Sequence, residues 1–417
     1  FIIEFKKFRE IIMISTKIKN IEYKMNAISL ILIVTGNFCF YTPDTINIYM
    51  MMTILGCLIA LILNIKYFSF TIYKSNYILW ITLVYAIFFF YGFCYLQGGR
   101  FSWESFLIRY IENISLYLAI KGLFRSNGEN IVNPFSITGV IAIIYLIFKE
   151  GSEIITGGIR IGDSLSGNVN TVGFNFGFIS LLVTWEYCKK RKKTSLILLM
   201  ILILFMLLTG SKKALLIVMM DIILIFIYEK GHTSRWLKLF LIFIVGIYVI
   251  FNVPYFYNIL GLRVESMIDT MLGGNTSISS NTYSYSTDMR EEMIVEAFNL
   301  FLKKPLFGGG FNNFLANTVT QYEYSHCNYT EMLCSFGLFG TIIFYSKYVS
   351  NITYIIKNKL YKVRKYRDVA FIVIFLMIEM LIADWATVTF SGQCLGYLPI
   401  IFSNVALEYV RKKERMG

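Results

Sequence analysis

Apolar runs separated by short polar connections fill this chain. Twelve of them, at 26–41, 46–63, 77–96, 104–124, 134–148, 168–187, 194–209, 213–229, 237–253, 328–346, 369–387 and 393–409, approach the length of a bilayer-crossing helix. Such a helix needs about 17–25 residues, depending on tilt. No alternating period of the kind a membrane barrel requires is present. The pattern therefore predicts an all-α polytopic membrane protein of about twelve transmembrane helices. Helices 1–9 fall in residues 1–253 and helices 10–12 in residues 328–417, with one long loop at 254–327 between them.

The loop divides by pattern. Around Gly273–Asn281 it is polar and irregular. Further on, Asp288 and Glu291 make a capping box, and Met293, Ile294, Ala297, Phe298 and Phe301 follow at helical spacing. Lys303 and Lys304 suit the negative end of a helix dipole, and Pro305 stops the helix. An amphipathic helix over 288–304 is expected, lying on the membrane surface or lidding a cavity.

Charge then sets the orientation. With twelve spans, 29 of the 39 Lys and Arg residues fall on one side, including Lys189–Lys193, the 357–367 cluster and the 411–415 tail. By the positive-inside rule that side is the cytoplasm, and both termini lie there. The remaining ten, Arg100, Arg109, Lys149, Arg160, Lys212, Lys213, Arg263, Arg290, Lys303 and Lys304, fall on or toward the outside. A cation kept there calls for an anionic partner. The net charge of +13 thus reflects topology and not nucleic acid. The first basic-then-apolar segment reads as an uncleaved anchor.

Composition agrees: 56% hydrophobic, 16% charged, mean hydropathy +0.61, against about 25% charged in soluble domains. The seven cysteines include no C-x-x-C pair and read as small core residues, with no metal site or disulfide framework. His232 reads as a solvated loop residue. Arg109 and Glu112 are spaced to pair on one helix face. Asp221, Glu379 and Asp384 lie inside spans, where acids often mark ion or substrate paths.

Three polar patches face outward. The first runs Arg160-Ile-Gly-Asp-Ser-Leu-Ser-Gly167-Asn168-Val-Asn170-Thr-Val-Gly173. The second is Thr209-Gly-Ser211-Lys212-Lys213-Ala-Leu-Leu. The third holds Arg290, P-L-F-G-G-G at 305–310, then His326-Cys327-Asn328 and Glu331, with Gly337 and Gly340 beyond. Together they resemble the O-antigen ligase and polymerase (Wzy-like) family of membrane glycosyltransferases. That family carries R…G-N-P-N…G, (T/S)-G-S-(R/K)-x-A-L-L, and R…P-L-F-G-x-G…H-N-x-x-L-E…G-x-x-G. Here Val169 replaces the proline, Lys212 stands where arginine is common, and Cys327 separates His326 from Asn328. The resemblance implies a GT-C-like fold, a polyprenyl (undecaprenyl) diphosphate-linked oligosaccharide donor, chemistry on the outer face of the bacterial cytoplasmic membrane, and no cofactor or metal. It also implies membrane lipid and other polysaccharide-assembly proteins as partners.

The residue types fit that chemistry. Breaking a sugar–diphosphate bond builds negative charge on the leaving group, which fixed cations can stabilise. Arg160, Lys212, Lys213 and Arg290 are the candidates, arginine as a bidentate phosphate ligand and lysine as a point charge. His326 is the candidate base for the acceptor hydroxyl. Glu331 would orient or relay, and Asn168, Asn170, Asn328, Gly308 and Gly310 would contact substrate. Tyr283, Tyr285, Tyr322, Tyr324 and Tyr329 would stack on sugars or form an interfacial belt. Plainer readings stand beside these. The lysines would serve equally as snorkelling anchors, Arg290 as a helix ion-pair partner, and the glycines as a turn or close-packing positions. The expected activity is polymerisation of repeat units. A ligase passing glycan to another acceptor, and a non-catalytic flippase, are the alternatives.

Overall fold

The computed structural model describes residues 2–74, 76–156, 160–166, 168–228, 244–262, 264–265, 281–319, 322–392 and 394–416. Gly167, His232, Arg263 and the 273–280 stretch lie outside these, as do the side chains of Tyr283 and Tyr285. The described residues are mostly helical: α1 (Ile2–Cys39), α2 (Ile46–Lys74), α3 (Asn76–Cys94), α4 (Trp103–Asn127), α5 (Asn133–Thr156), the short α6 (Asp163–Ser166), α7 (Val169–Lys190), α8 (Lys193–Leu208) and α9 (Lys212–Tyr228). Then come α10 (Ile244–Asn252), α11 (Asn281–Lys303), α12 (Asn328–Lys357), α13 (Arg367–Ala386) and α14 (Leu398–Met416). Among the described residues the β pairing is an isolated bridge, Leu96 to Phe311.

A helix covers the described part of each expected span. Length and apolarity alone qualify Pro43–Ile65, Tyr77–Cys94, Asn133–Thr156 and Asn328–Lys357 as membrane crossings. Ile244–Asn252 with Pro254–Gly261 makes a fifth if that pair, bent by 82°, is counted as one. Large apolar side chains face outward from the bundle; Phe148 is 82% exposed and Ile62 69%. Such a surface would aggregate in water and suits lipid. The protein is an integral membrane protein.

Two acids inside the bundle, Asp221 and Glu112, accept hydrogen bonds from protein side chains. Asp221 accepts the hydroxyls of Ser180 (2.6 Å) and Thr184 (2.7 Å). Glu112 accepts from Asn37 (3.1 Å) and Tyr49 (2.8 Å). Arg109 does not pair with it as the spacing suggested: it donates to the Ser391 carbonyl and to the Tyr41 hydroxyl.

The amphipathic helix starts earlier than its capping signal. α11 runs from Asn281, so Asp288 sits inside the helix and not at its cap. Its buried face is Met293, Ala297, Leu300 and Phe301, packed with Phe314 and Cys334. Phe298, expected on that face, is 44% exposed. The helix is thus a roof laid on α12.

α12 is broken where the glycine pattern falls. Gly337 has φ 62° and ψ −166°, a conformation that glycine alone adopts readily. The 305–310 segment lays its backbone into the break. Gly309 and Gly310 N–H donate to the Cys334 and Ser335 carbonyls (2.8 and 3.0 Å). Leu338 and Phe339 N–H turn instead to the Pro305 and Leu306 carbonyls (2.9 and 3.0 Å). In an unbroken helix 338 and 339 would have bonded 334 and 335. Two helical bonds are exchanged for four to the inserted strap, and no backbone group is stranded.

Candidate functional site

The first two patches form one unit. Asn168 caps α7, its side chain accepting the Asn170 N–H (2.9 Å). Asn170 in turn accepts from Arg160 Nη2 (3.1 Å), and Arg160 Nε donates to the Thr209 carbonyl (2.7 Å). Gly210, at φ 59°, has no room for a side chain: a Cβ there would sit 2.8 Å from the Ile259 carbonyl and 3.2 Å from Arg160 Cγ. The Arg160 patch therefore clamps the hairpin that launches α9, and with it Lys212 and Lys213.

Lys213 carries the unit to the third patch. Its ammonium donates to the Trp385 carbonyl (2.9 Å) and lies 4.8 Å from the Trp385 ring centre. Trp385 ends α13, just before the turn 387–391. That turn is held from several directions. Asn328 Oδ1 accepts the Thr389 and Phe390 N–H groups (3.0 and 3.1 Å), and its amide donates to Tyr345 (2.9 Å). Thr389 also donates to Asp384, Tyr397 donates to the Phe390 carbonyl, and Arg109 holds Ser391.

His326 sits on a tight turn before α12, with a left-handed backbone (φ 54°). Such a conformation is uncommon for a non-glycine residue and is retained where surroundings impose it. Here they do: Glu331, buried, accepts the Ser325 N–H (2.8 Å), and Ser325 Oγ donates to the Cys327 carbonyl (3.0 Å). Glu331 thus sets the backbone that presents His326. The imidazole stands against Tyr324, ring centres 4.3 Å apart. Burial, followed by the charges of Arg290 and Lys213, pushes its pKa down to about 4. At neutral pH it is an uncharged acceptor flanked by two cations. Arg290 lies exposed on α11, and among the described residues no ion pair involves it.

Beside His326 opens a cavity of about 470 Å³. Its lining comes from Phe311, Asn312 and Leu315, from Glu323, Tyr324 and Glu331, and from Thr387, Val388, Phe390 and Ser391. The floor is fixed to the α3–α4 loop: Gln97 N–H donates to the Phe311 carbonyl (3.0 Å) and Phe311 N–H to the Tyr95 carbonyl (2.9 Å).

Lys213, Arg290 and His326 are therefore brought into mutual electrostatic range. Arg160, Asn168 and Asn170 stand behind the hairpin, bonded to protein. Gly308 and Gly310 face protein as well: a Cβ on Gly308 would come 2.5 Å from the Gly337 nitrogen, and Gly310 N–H is bonded to Ser335. Asn328 is buried and holds the 387–391 turn. That turn and Asn312 had no part in the sequence argument. A short uncharged break between two apolar runs carries little signal beyond its place between spans eleven and twelve.

No curated protein matches the chain. Residues 197–345 match the family model described as O-Antigen ligase, a stretch that holds the Lys212–Lys213 hairpin, Arg290 and the His326 turn. Over that stretch, about a third of its length, the chain is similar to the O-antigen ligase family.

Proposed function

We propose that the chain polymerises oligosaccharide repeat units carried on a polyprenyl diphosphate, at the outer face of a bacterial cytoplasmic membrane. The match of residues 197–345 to the O-antigen ligase model supports an O-antigen ligase or polymerase type of membrane function. What supports the finer reading is a neutral imidazole within electrostatic range of two cations and against Tyr324, which lines a polar cavity. Lys213 and Arg290 take the charge that develops on the departing diphosphate, as preorganised cations aimed where it appears. His326 accepts the proton of the attacking hydroxyl as the new glycosidic bond forms and the sugar–phosphate bond breaks. Arg160 holds the hairpin that aims Lys213. Twelve spans with both termini in the cytoplasm put this end of the bundle outside.

The direct test supplies the purified chain, in lipid, with a lipid-diphosphate-linked repeat unit and a chelator. A ladder of products differing by one unit is expected. A single transfer to a non-identical acceptor, with no ladder, would make the chain a ligase. Lys213→Gln should slow extension by about 10²-fold, the scale of losing one preorganised transition-state donor; an unchanged rate would remove it from the site.

The depressed His326 pKa predicts the pH profile. A base active when neutral works at all pH above its pKa and is lost as pH falls through it. With the free enzyme near 4, kcat/KM should hold down to about pH 5, well below the point where an ordinary histidine, at about 6.5, would protonate. Arg290→Gln removes one positive neighbour, so the acid limb must move up. Bound diphosphate adds negative charge, so the limb in kcat should lie at higher pH than that in kcat/KM. An acid limb near 6.5 in the unaltered enzyme would contradict the geometry.

A further inference from the structure

Lys213 and Arg290 act on the imidazole, yet among the described residues neither lines the cavity, nor does any other Lys or Arg. Its polar surface is instead acceptor-rich: the carboxylates of Glu323 and Glu331 with Asn312, Thr387 and Ser391. Tyr324 supplies an aromatic wall and also stands against the His326 ring. About 470 Å³ falls in the range of small-ligand pockets, about 300–1,000 Å³.

Resting on the function proposed above, we propose that this cavity is the acceptor-glycan subsite, and that the sugars read there are neutral or amino-bearing and carry no carboxylate. Hydroxyl and amine hydrogens satisfy carboxylate and carbonyl oxygens. A uronic acid would set like charge against Glu323 and Glu331 with no Lys or Arg among the described lining residues to offset it. The walls are well anchored. Asn312, itself left-handed at φ 60°, donates to the Gly98 carbonyl (2.8 Å), and Asn328 and Arg109 pin the 387–391 turn. A fixed wall of this kind selects by shape and hydrogen bonding without the cost of ordering a loop on binding. Thr387 and Val388 lie in that turn, beyond the family-matched residues 197–345.

The test measures binding of free disaccharides to the full chain in nanodiscs by saturation-transfer NMR. The probes are a glucosamine disaccharide, its N-acetylated form, and a disaccharide containing glucuronic acid. The first two should bind at least about tenfold more tightly than the third, a difference of about 1.4 kcal/mol. Glu323→Gln, at an exposed position, should shrink that ratio toward unity while leaving the N-acetylated probe unaffected. Thr387→Trp should abolish binding of all three. Preference for the acidic probe, a ratio unmoved by Glu323→Gln, binding that survives Thr387→Trp, or no binding at all would each overturn the assignment. Chain extension from the lipid-linked unit is measured separately, so a failed subsite leaves the polymerase reading to its own assay.

Discussion

Replacing His326 with Asn should lower the rate of chain extension by about 10²–10⁴-fold, the usual contribution of a positioned general base. KM for the lipid-linked donor should change little, because the cations that bind its diphosphate remain. Asn is a better choice than Ala, since residue 326 has φ 54° and Asn tolerates the left-handed region at low cost. The backbone of the turn is then kept by the Glu331 to Ser325 bond, and the loss reports on the imidazole alone. Measured on purified protein of unchanged thermal midpoint, a rate within threefold of the parent would remove His326 from the chemistry. Glu331→Gln gives a useful contrast. It weakens the hold on the Ser325 N–H without touching the ring, so it should lower both the rate and the thermal midpoint.

The second large effect is structural. Gly337→Ala should destabilise the protein by about 2–6 kcal/mol. The lower part comes from forcing a side chain into a glycine-only backbone state, about 1–3 kcal/mol. The rest is overpacking, also about 1–3 kcal/mol, because a Cβ at 337 would collide with the Gly308 nitrogen and the Leu306 carbonyl. Gly308→Ala meets the same wall from the other side, at φ 71°. Both should cut the folded yield seen by fluorescence-detected size exclusion, whereas Gly151→Ala, with open space around it, should not. Parental yield and midpoint for Gly337→Ala would show that the strap and the broken helix are not locked together.

Much of this was legible beforehand for plain reasons. Apolar runs fix where helices lie, because backbone groups in lipid must be satisfied within the segment. The expected outward placing of basic residues singled out Lys213 and Arg290, which the fold brings into electrostatic range of His326. The roles of the glycines and amides were harder to read. Gly308 and Gly310 look the same in sequence whether they admit a phosphate or another backbone, and here Gly337 fills the space. Asn328 beside a histidine reads as a substrate ligand, yet it holds a turn sixty residues away whose existence no local pattern reveals. The Asp288 capping box was overruled because the helix continues upstream of it. Contacts made across long separations are where local chemistry stops being informative.

The exchanged hydrogen bonds at Gly337 also constrain biogenesis. An α12 released alone is free to close the Leu338 to Cys334 and Phe339 to Ser335 bonds on itself, so the break at Gly337 forms only when residues 305–310 supply the replacement partners. The bent helix is therefore a late product of assembly, made as the segment synthesised before it docks.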